Sequence, residues 1–215
     1  MFKLLSATLG YINSHYDTYV LAVKTHILIF VLVLAAAVII GIPLGILSSK
    51  KPVFSTVIIN IFSALKMIPS LALLLVFIPI IGTGMIPASI ALVLHALPTM
   101  LINTYTGFKQ IDAAVTESAV AMGMTRGEIL RKVEFPLALP LVFTGLRTCS
   151  VDIIATTTIA AYIGAGGLGQ FVVVGLSNLN SATMLAGSLT VALISLIVDL
   201  VFFLLQKGLI RYEKA

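Results

Sequence analysis

Glu117-Ser118-Ala119-Val120-Ala121-Met122-Gly123, followed after nine intervening residues by Val133-Glu134-Phe135-Pro136, lies in the longest polar interruption of a chain that is otherwise almost continuously apolar. The interval 107–136 carries Lys109, Asp112, Glu117, Arg126, Glu128, Arg131, Lys132 and Glu134, in a chain with only 13 basic and 8 acidic residues. The stretches 67–108 and 153–198 carry no charged residue. A short water-facing handle thus interrupts a membrane body. The apolar runs on either side are long and continuous rather than alternating, so their backbone hydrogen bonds must close within helices and not across a barrel.

Local chemistry gives the handle a shape. Ile111, Val115 and Ala119, with Ala114, Ser118 and Met122, recur at helical spacing and predict one apolar stripe. Asp112 in the first turn favours the positive helix end. Gly123 can take the left-handed conformation that closes a helix, and Thr125 with Glu128 three residues later has the pattern of a capping box for the next one. Two short helices meeting at a corner are expected, with Met124 and Arg126 flanking the cap. Without the Glu-to-Pro spacing, the same residues would equally fit an amphipathic loop lying on a bilayer.

Composition agrees with a polytopic membrane protein: 60% hydrophobic residues, 10% charged residues and a mean hydropathy of +1.16. A helix needs about 20 apolar residues to cross roughly 30 Å of hydrocarbon. Five spans fit, at 22–47, 53–80, 85–105, 137–162 and 182–205. Lys50 and Lys51 follow the first, Lys109, Arg126, Arg131 and Lys132 the third, and Lys207, Arg211 and Lys214 the fifth, whereas the loops at 81–84 and 164–181 carry no Lys or Arg. The positive-inside rule then puts the N-terminus outside and the Glu117 loop in the cytoplasm. This distribution accounts for the net charge of +5 without a nucleic-acid partner. Residues 1–19 do not have the form of a cleaved signal peptide and are expected as an amphipathic segment on the outer face. Cys149 is expected as a small apolar filler within a span.

The spacing Glu117, Ala119, Gly123, Val133, Phe135-Pro136 closely resembles the E-A-A, G, I, L-P signature of the membrane subunits of bacterial ATP-binding cassette importers, with Ser118, Val133 and Phe135 as small departures. Further stretches are similar to the osmoprotectant branch that carries glycine betaine, carnitine and choline, with the methionine importers as cousins: Ile68-Pro69-Ser70-Leu71, Asn103-Thr104-Tyr105-Thr106-Gly107, Gly145-Leu146-Arg147-Thr148, and Thr158 through Gly169. The resemblance implies an all-α type I importer transmembrane domain of the methionine-importer kind, a single permease domain over 1–215 with a helical core at 20–206 and a cytoplasmic coupling loop at 107–136. It departs at Lys66, where relatives usually carry a neutral polar residue, and at Ile102, where they carry Arg. Lys66 is therefore expected to replace that cation at one place in space.

Other motifs carry less. Gly164-Ala165-Gly166-Gly167-Leu168-Gly169 satisfies G-x-G-x-x-G, but a dinucleotide site needs a preceding strand and an acid about 20 residues on; Gly164, Gly166, Gly167 and Gly169 instead fit a close-packed outer gate turn after the fourth span. No G-x-x-x-x-G-K-[ST] occurs, so no catalytic residue is assigned, and ATP and Mg are expected on a partner. The Gly41-x-x-x-Gly45 pair predicts close helix packing within the chain. Pro69, Pro79, Pro87 and Pro98 are expected to break the second and third spans and their junction. Lys66, Pro69, Ser70, Asn103, Arg147 and Asp152 are the candidates for a translocation path or for internal polar contacts, because polar groups are costly in the bilayer. Arg147 and Asp152 project about 140° apart on one helix, so each should find a partner elsewhere. Asp199 fits packing or an internal ion pair, and His95 fits a hydrogen-bonded helix residue better than a metal ligand.

The resemblance implies a permease for a quaternary ammonium osmoprotectant in the bacterial cell membrane. Its partners would be cytoplasmic ATPase subunits at the Glu117 loop, a second permease copy or paralogue, and a separate extracellular substrate-binding protein. With no Trp in the chain, a selective aromatic cage belongs on that binder. Methionine or another amino-acid-like solute is the alternative cargo, and an ATP-independent secondary transporter is the alternative class, although inverted repeats are not evident.

Overall fold

The computed structural model describes residues 2–210, and every regular element among them is helical. A short α1 (Phe2–Ser14) precedes α2 (Tyr16–Lys50), and then α3 (Pro52–Lys66) and α4 (Ser70–Ile81) lead into α5 (Met85–Lys109). The polar loop holds α6 (Ala113–Ala121) and α7 (Arg126–Ile129), after which come α8 (Phe135–Ala160), α9 (Gly169–Ser177) and α10 (Ser181–Ile210). Among the described residues, four helices are long and apolar enough to cross a membrane: 16–50, 85–109, 126–163 and 181–208.

The second expected span, 53–80, is not a continuous helix. α3 and α4 meet at 94°, and their 15 and 12 residues reach only about 22 and 18 Å at 1.5 Å per residue, short of the bilayer thickness. Pro69 is the cause. It has no N–H for the Leu65 carbonyl and drives Ile68 out of the helical region, so α3 ends in tightened bonds from Met67 N to Ala64 O and Ile68 N to Leu65 O. The other expected proline breaks do not occur: Pro79 and Pro98 lie inside α4 and α5, and Pro87 sits in the first turn of α5, where helix N–H groups have no intrahelical partner anyway.

α5 is the centre of the bundle, packed by α2 and α8 and capped by α3 and α4. Close approach is bought with small residues. A Cβ on Gly45 would lie 2.7 Å from Thr104 Cβ, and one on Gly145 would lie 2.6 Å from Asn103 Cβ, so the Gly41/Gly45 pair serves packing within the chain. The main core joins Ile29, Val33, Leu74, Leu92, Ile153 and Ile154. Leu189, Leu193, Leu196 and Leu200 of α10 stay exposed, as suits an outer helix whose solvent is lipid.

Sidedness follows from contacts. Lys50 pairs with Glu134, and Gln206 Nε2 donates to Pro140 O at 3.2 Å, so the basic ends of α2, α5 and α10 share one end with the polar loop. Gly84 N donates to Ile163 O at 2.7 Å, which joins the two uncharged loops at the opposite end. Arg211 and Lys214 lie outside the described residues. α1 lies at the uncharged end, where the Tyr11 ring stands edge-on to Phe171 at 6.2 Å and Leu4, Leu5 and Leu9 remain exposed.

Candidate functional site

The polar loop folds as an elbow held by its own hydrogen bonds. Asp112 caps α6 by accepting from Ala114 N at 2.9 Å. At the other end Gly123 adopts φ +79°, which lets Gly123 N donate to Val120 O at 2.9 Å and Met124 N to Ala119 O at 3.2 Å; this double bond pattern closes a helix on a left-handed residue. Thr125 N then donates to Glu128 Oε2 at 3.0 Å while Glu128 N donates to Thr125 Oγ1 at 3.4 Å, completing the capping box. Lys132 Nζ donates to Glu128 Oε1 at 3.0 Å. The Thr125 amide, then Lys132, lowers the Glu128 carboxyl from 4.5 to about 2.

On and just after α6, Ala119 is covered, at 1% exposure, while Val115, Val120 and Met122 are 41%, 62% and 74% exposed, and Ala114, Glu117 and Ser118 are exposed beside them. The elbow thus shows an apolar face to whatever lies beyond the membrane end. One expectation needs correction: the second helix is not short. α7 continues through a π-helical segment, Leu130–Glu134, into α8, forming one helical stretch over 126–163. Pro136 has no N–H, which removes the donor for the Lys132 carbonyl; a wider turn, with Phe135 N donating to Leu130 O, carries the chain past that gap. Val133 is half-buried, Phe135 and Pro136 are exposed, and Glu134 is buried against Lys50. The Lys50 pair therefore fastens the elbow to the end of α2.

Along α8, Thr144, Arg147, Thr148, Val151, Asp152 and Ala155 recur at helical spacing and form one wall of a cavity of about 620 Å³. Lys66 at the end of α3 and Thr99 of α5 add a second wall, and Asp199 and Gln206 of α10 a third. Arg147 does not pair with Asp152. Its Nε and Nη2 both bond Asp199, with Nη2 to Oδ2 at 2.7 Å, and its guanidinium lies 5.1 Å from the Phe203 ring centroid. Asp152 Oδ2 instead sits 3.5 Å from His95 Nε2. Lys66 Nζ donates to Thr99 Oγ1 at 3.0 Å, one helical turn from Ile102 on α5.

Lys66, Arg147 and Asp152 are thus brought together. Asn103 is not on the cavity wall: its Nδ2 donates to Thr99 O at 2.8 Å and it packs over Gly145. Pro69 and Ser70 form the corner just beyond Lys66. Sequence reasoning missed Thr99, Thr144, Thr148 and Gln206, although the 144, 148, 151, 155 period of the α8 wall was present to be read.

At the opposite end Gly164, Gly166 and Gly167 take φ of +80°, +83° and +76°. Gly169 opens α9, where a Cβ would lie 2.1 Å from Thr158 O. A Cβ on Gly167 would lie 3.2 Å from His26 Nδ1, and His26, fully buried, places Nε2 3.2 Å from Ile154 O. His26, also missed in the sequence, ties the outer turn to α2 and α8. No strand precedes the glycines among the described residues, so they are a turn between helices and not a dinucleotide loop.

Known proteins are similar to this chain. The choline transport system permease protein OpuBB of Bacillus subtilis is 34% identical over 184 residues, covering 86% of this chain and 85% of that protein. The glycine betaine/carnitine/choline transport system permease protein OpuCD of Bacillus subtilis is 40% identical over 190 residues, covering 88% and 83%. Among solved structures, the inward-facing MetNI methionine ABC transporter superposes with a TM-score of 0.80 at 23% identity, covering 92% of this chain and 99% of that one, which establishes the fold. Residues 37–211 match the family described as binding-protein-dependent transport system inner membrane component, and the chain belongs to that family.

Proposed function

We propose that the chain is the membrane-spanning permease subunit of an ATP-driven importer for a quaternary ammonium osmoprotectant: glycine betaine, carnitine or choline. The observation that carries this reading is the continuity of the elbow with α8. The exposed face around Glu117 is the docking site for a cytoplasmic ATPase, which holds ATP and Mg. Arg126 and Asp152 stand on one helical stretch, 26 residues apart, so about 39 Å of rod carries a push at the elbow to the cavity wall. A second permease copy or a paralogue completes the path, and a separate extracellular binding protein delivers cargo to the outer turn at Gly164 to Gly169, which acts as the gate. The cargo class is supported by relatives named for choline, carnitine and glycine betaine transport at 33% to 40% identity. The methionine transporter supports the fold and no particular solute.

Co-purification with the ATPase, followed by ATPase assays with the binding protein and glycine betaine, carnitine, choline or methionine, tests the proposal. Stimulation by a quaternary ammonium solute is expected. Stimulation by methionine alone would reject the cargo, and failure to recover any ATPase would reject the docking role.

A further inference from the structure

The cavity holds two kinds of charge. Arg147 and Asp199 neutralise each other through two parallel hydrogen bonds, so that pair offers a solute little net field. Lys66 and Asp152 are different. Each is held by a single partner on α5 and both line the cavity: Lys66 on Thr99 and Asp152 beside His95. Among the described residues His95 Nδ1 is buried with no hydrogen-bond partner, and Nε2 is the ring atom that faces Asp152.

His95 and Thr99 are four residues apart on α5, on the same face, and at about 1.5 Å of rise per residue they stand roughly 6 Å apart along the helix. The cavity wall thus presents an anion and a cation fixed to successive turns of one helix. α5 runs from the uncharged end at Met85 to the basic end at Lys109, which sets Asp152 outward and Lys66 inward.

Resting on the cavity being the translocation path proposed above, we infer that Lys66 and Asp152 form a dipolar transit site for small zwitterions, with Asp152 facing the cationic group and Lys66 the carboxylate. Choline has no carboxylate and leaves Lys66 facing a hydroxyl. Glycine betaine and carnitine satisfy both charges and pass carboxylate first. None of the cavity residues is aromatic, so the site lacks the ring faces that hold a quaternary ammonium tightly; it aligns cargo and releases it.

The test separates this site from the binding protein. The purified permease and ATPase complex, without binding protein, is titrated with radiolabelled glycine betaine, choline and methionine, while uptake by the complete importer is followed in parallel. Lys66→Met is expected to weaken glycine betaine roughly tenfold or more and to change choline by less than about threefold, the loss of one charge-assisted contact. Asp152→Asn weakens both, and Lys66→Arg, which keeps the charge, retains betaine binding. The inference is overturned if Lys66→Met weakens choline as much as betaine, if it weakens neither, if Lys66→Arg is as defective as Lys66→Met, or if the unaltered complex binds none of the three. Should the importer carry methionine and no quaternary ammonium, the osmoprotectant reading fails on its own. Methionine is also a zwitterion, so the dipolar site then stands if Lys66→Met weakens methionine tenfold and falls if it does not.

Discussion

Gly123 isolates backbone strain at the elbow from every other effect. Its φ is +79° and a Cβ built there meets nothing within 4 Å, so a substitution produces no clash; its cost is the left-handed conformation alone. That cost is about 1–2 kcal/mol for an ordinary L-residue and less for Asn, whose short polar side chain tolerates the region. At 1.4 kcal/mol per factor of ten, the closed elbow loses between about 5-fold and 30-fold in population relative to frayed forms. Val, branched at Cβ, is the worst case. The loop is remote from the core formed by Ile29, Leu74 and Ile153, so membrane insertion and thermal stability should hold across Gly123→Asn, Gly123→Ala and Gly123→Val. The assay is solute accumulated per ATP hydrolysed in proteoliposomes holding the permease, ATPase and binding protein. Coupling should fall in the order Asn, Ala, Val. Full coupling in the Val variant, or losses that do not follow left-handed tolerance, would refute the idea that elbow geometry transmits the push.

Glu117→Arg should leave the protein folded in the membrane and abolish ATPase recovery on co-purification, since it changes only an exposed charge on the face proposed to dock the ATPase; unchanged recovery contradicts that role. Gly145→Val, forced against Asn103 at 2.6 Å, should cost about 1–3 kcal/mol by overpacking, read as a fall in melting temperature that Asn103→Ala partly reverses. Asp199→Asn should lower the melting temperature by leaving Arg147 without its anion, with Arg147→Met in the same chain restoring most of the loss. The Glu128 carboxyl is lowered from 4.5 to about 2, so the cap's contribution is present above pH 4.5 and lost as pH falls toward 2; amide protection at 126–129 should drop across that window, and Glu128→Gln should flatten the change.

What was legible in the sequence is what is local. Asp112, Gly123, Thr125 and Glu128 act through neighbours within four positions, so spacing alone defined the elbow's caps. The charge distribution of Lys50, Lys109 and Lys207 gave the ends of the bundle for the same reason. What was not legible depends on packing. Pro69 and Pro98 look alike in an apolar run, yet one breaks a helix and the other is carried inside α5, because surrounding helices decide which freed carbonyls can be accommodated. The continuity of α7 with α8 escaped notice because it passes through a π-helical turn at 130–134, which leaves no signature in hydrophobic period. The period of α6 marks an apolar face without saying what covers it. The partners of Asp152 and Lys66 come from α5, 57 and 33 positions away, a juxtaposition only the tertiary fold supplies.

On the proposed function this chain is moved by a partner at the elbow and does no concentrative work alone. Accumulation of radiolabelled glycine betaine against its gradient, measured in liposomes holding the permease by itself and in liposomes holding the permease with ATPase, binding protein and ATP, tests it most directly. Uphill accumulation only in the complete assembly is predicted; accumulation by the permease alone, without ATP, would contradict the account.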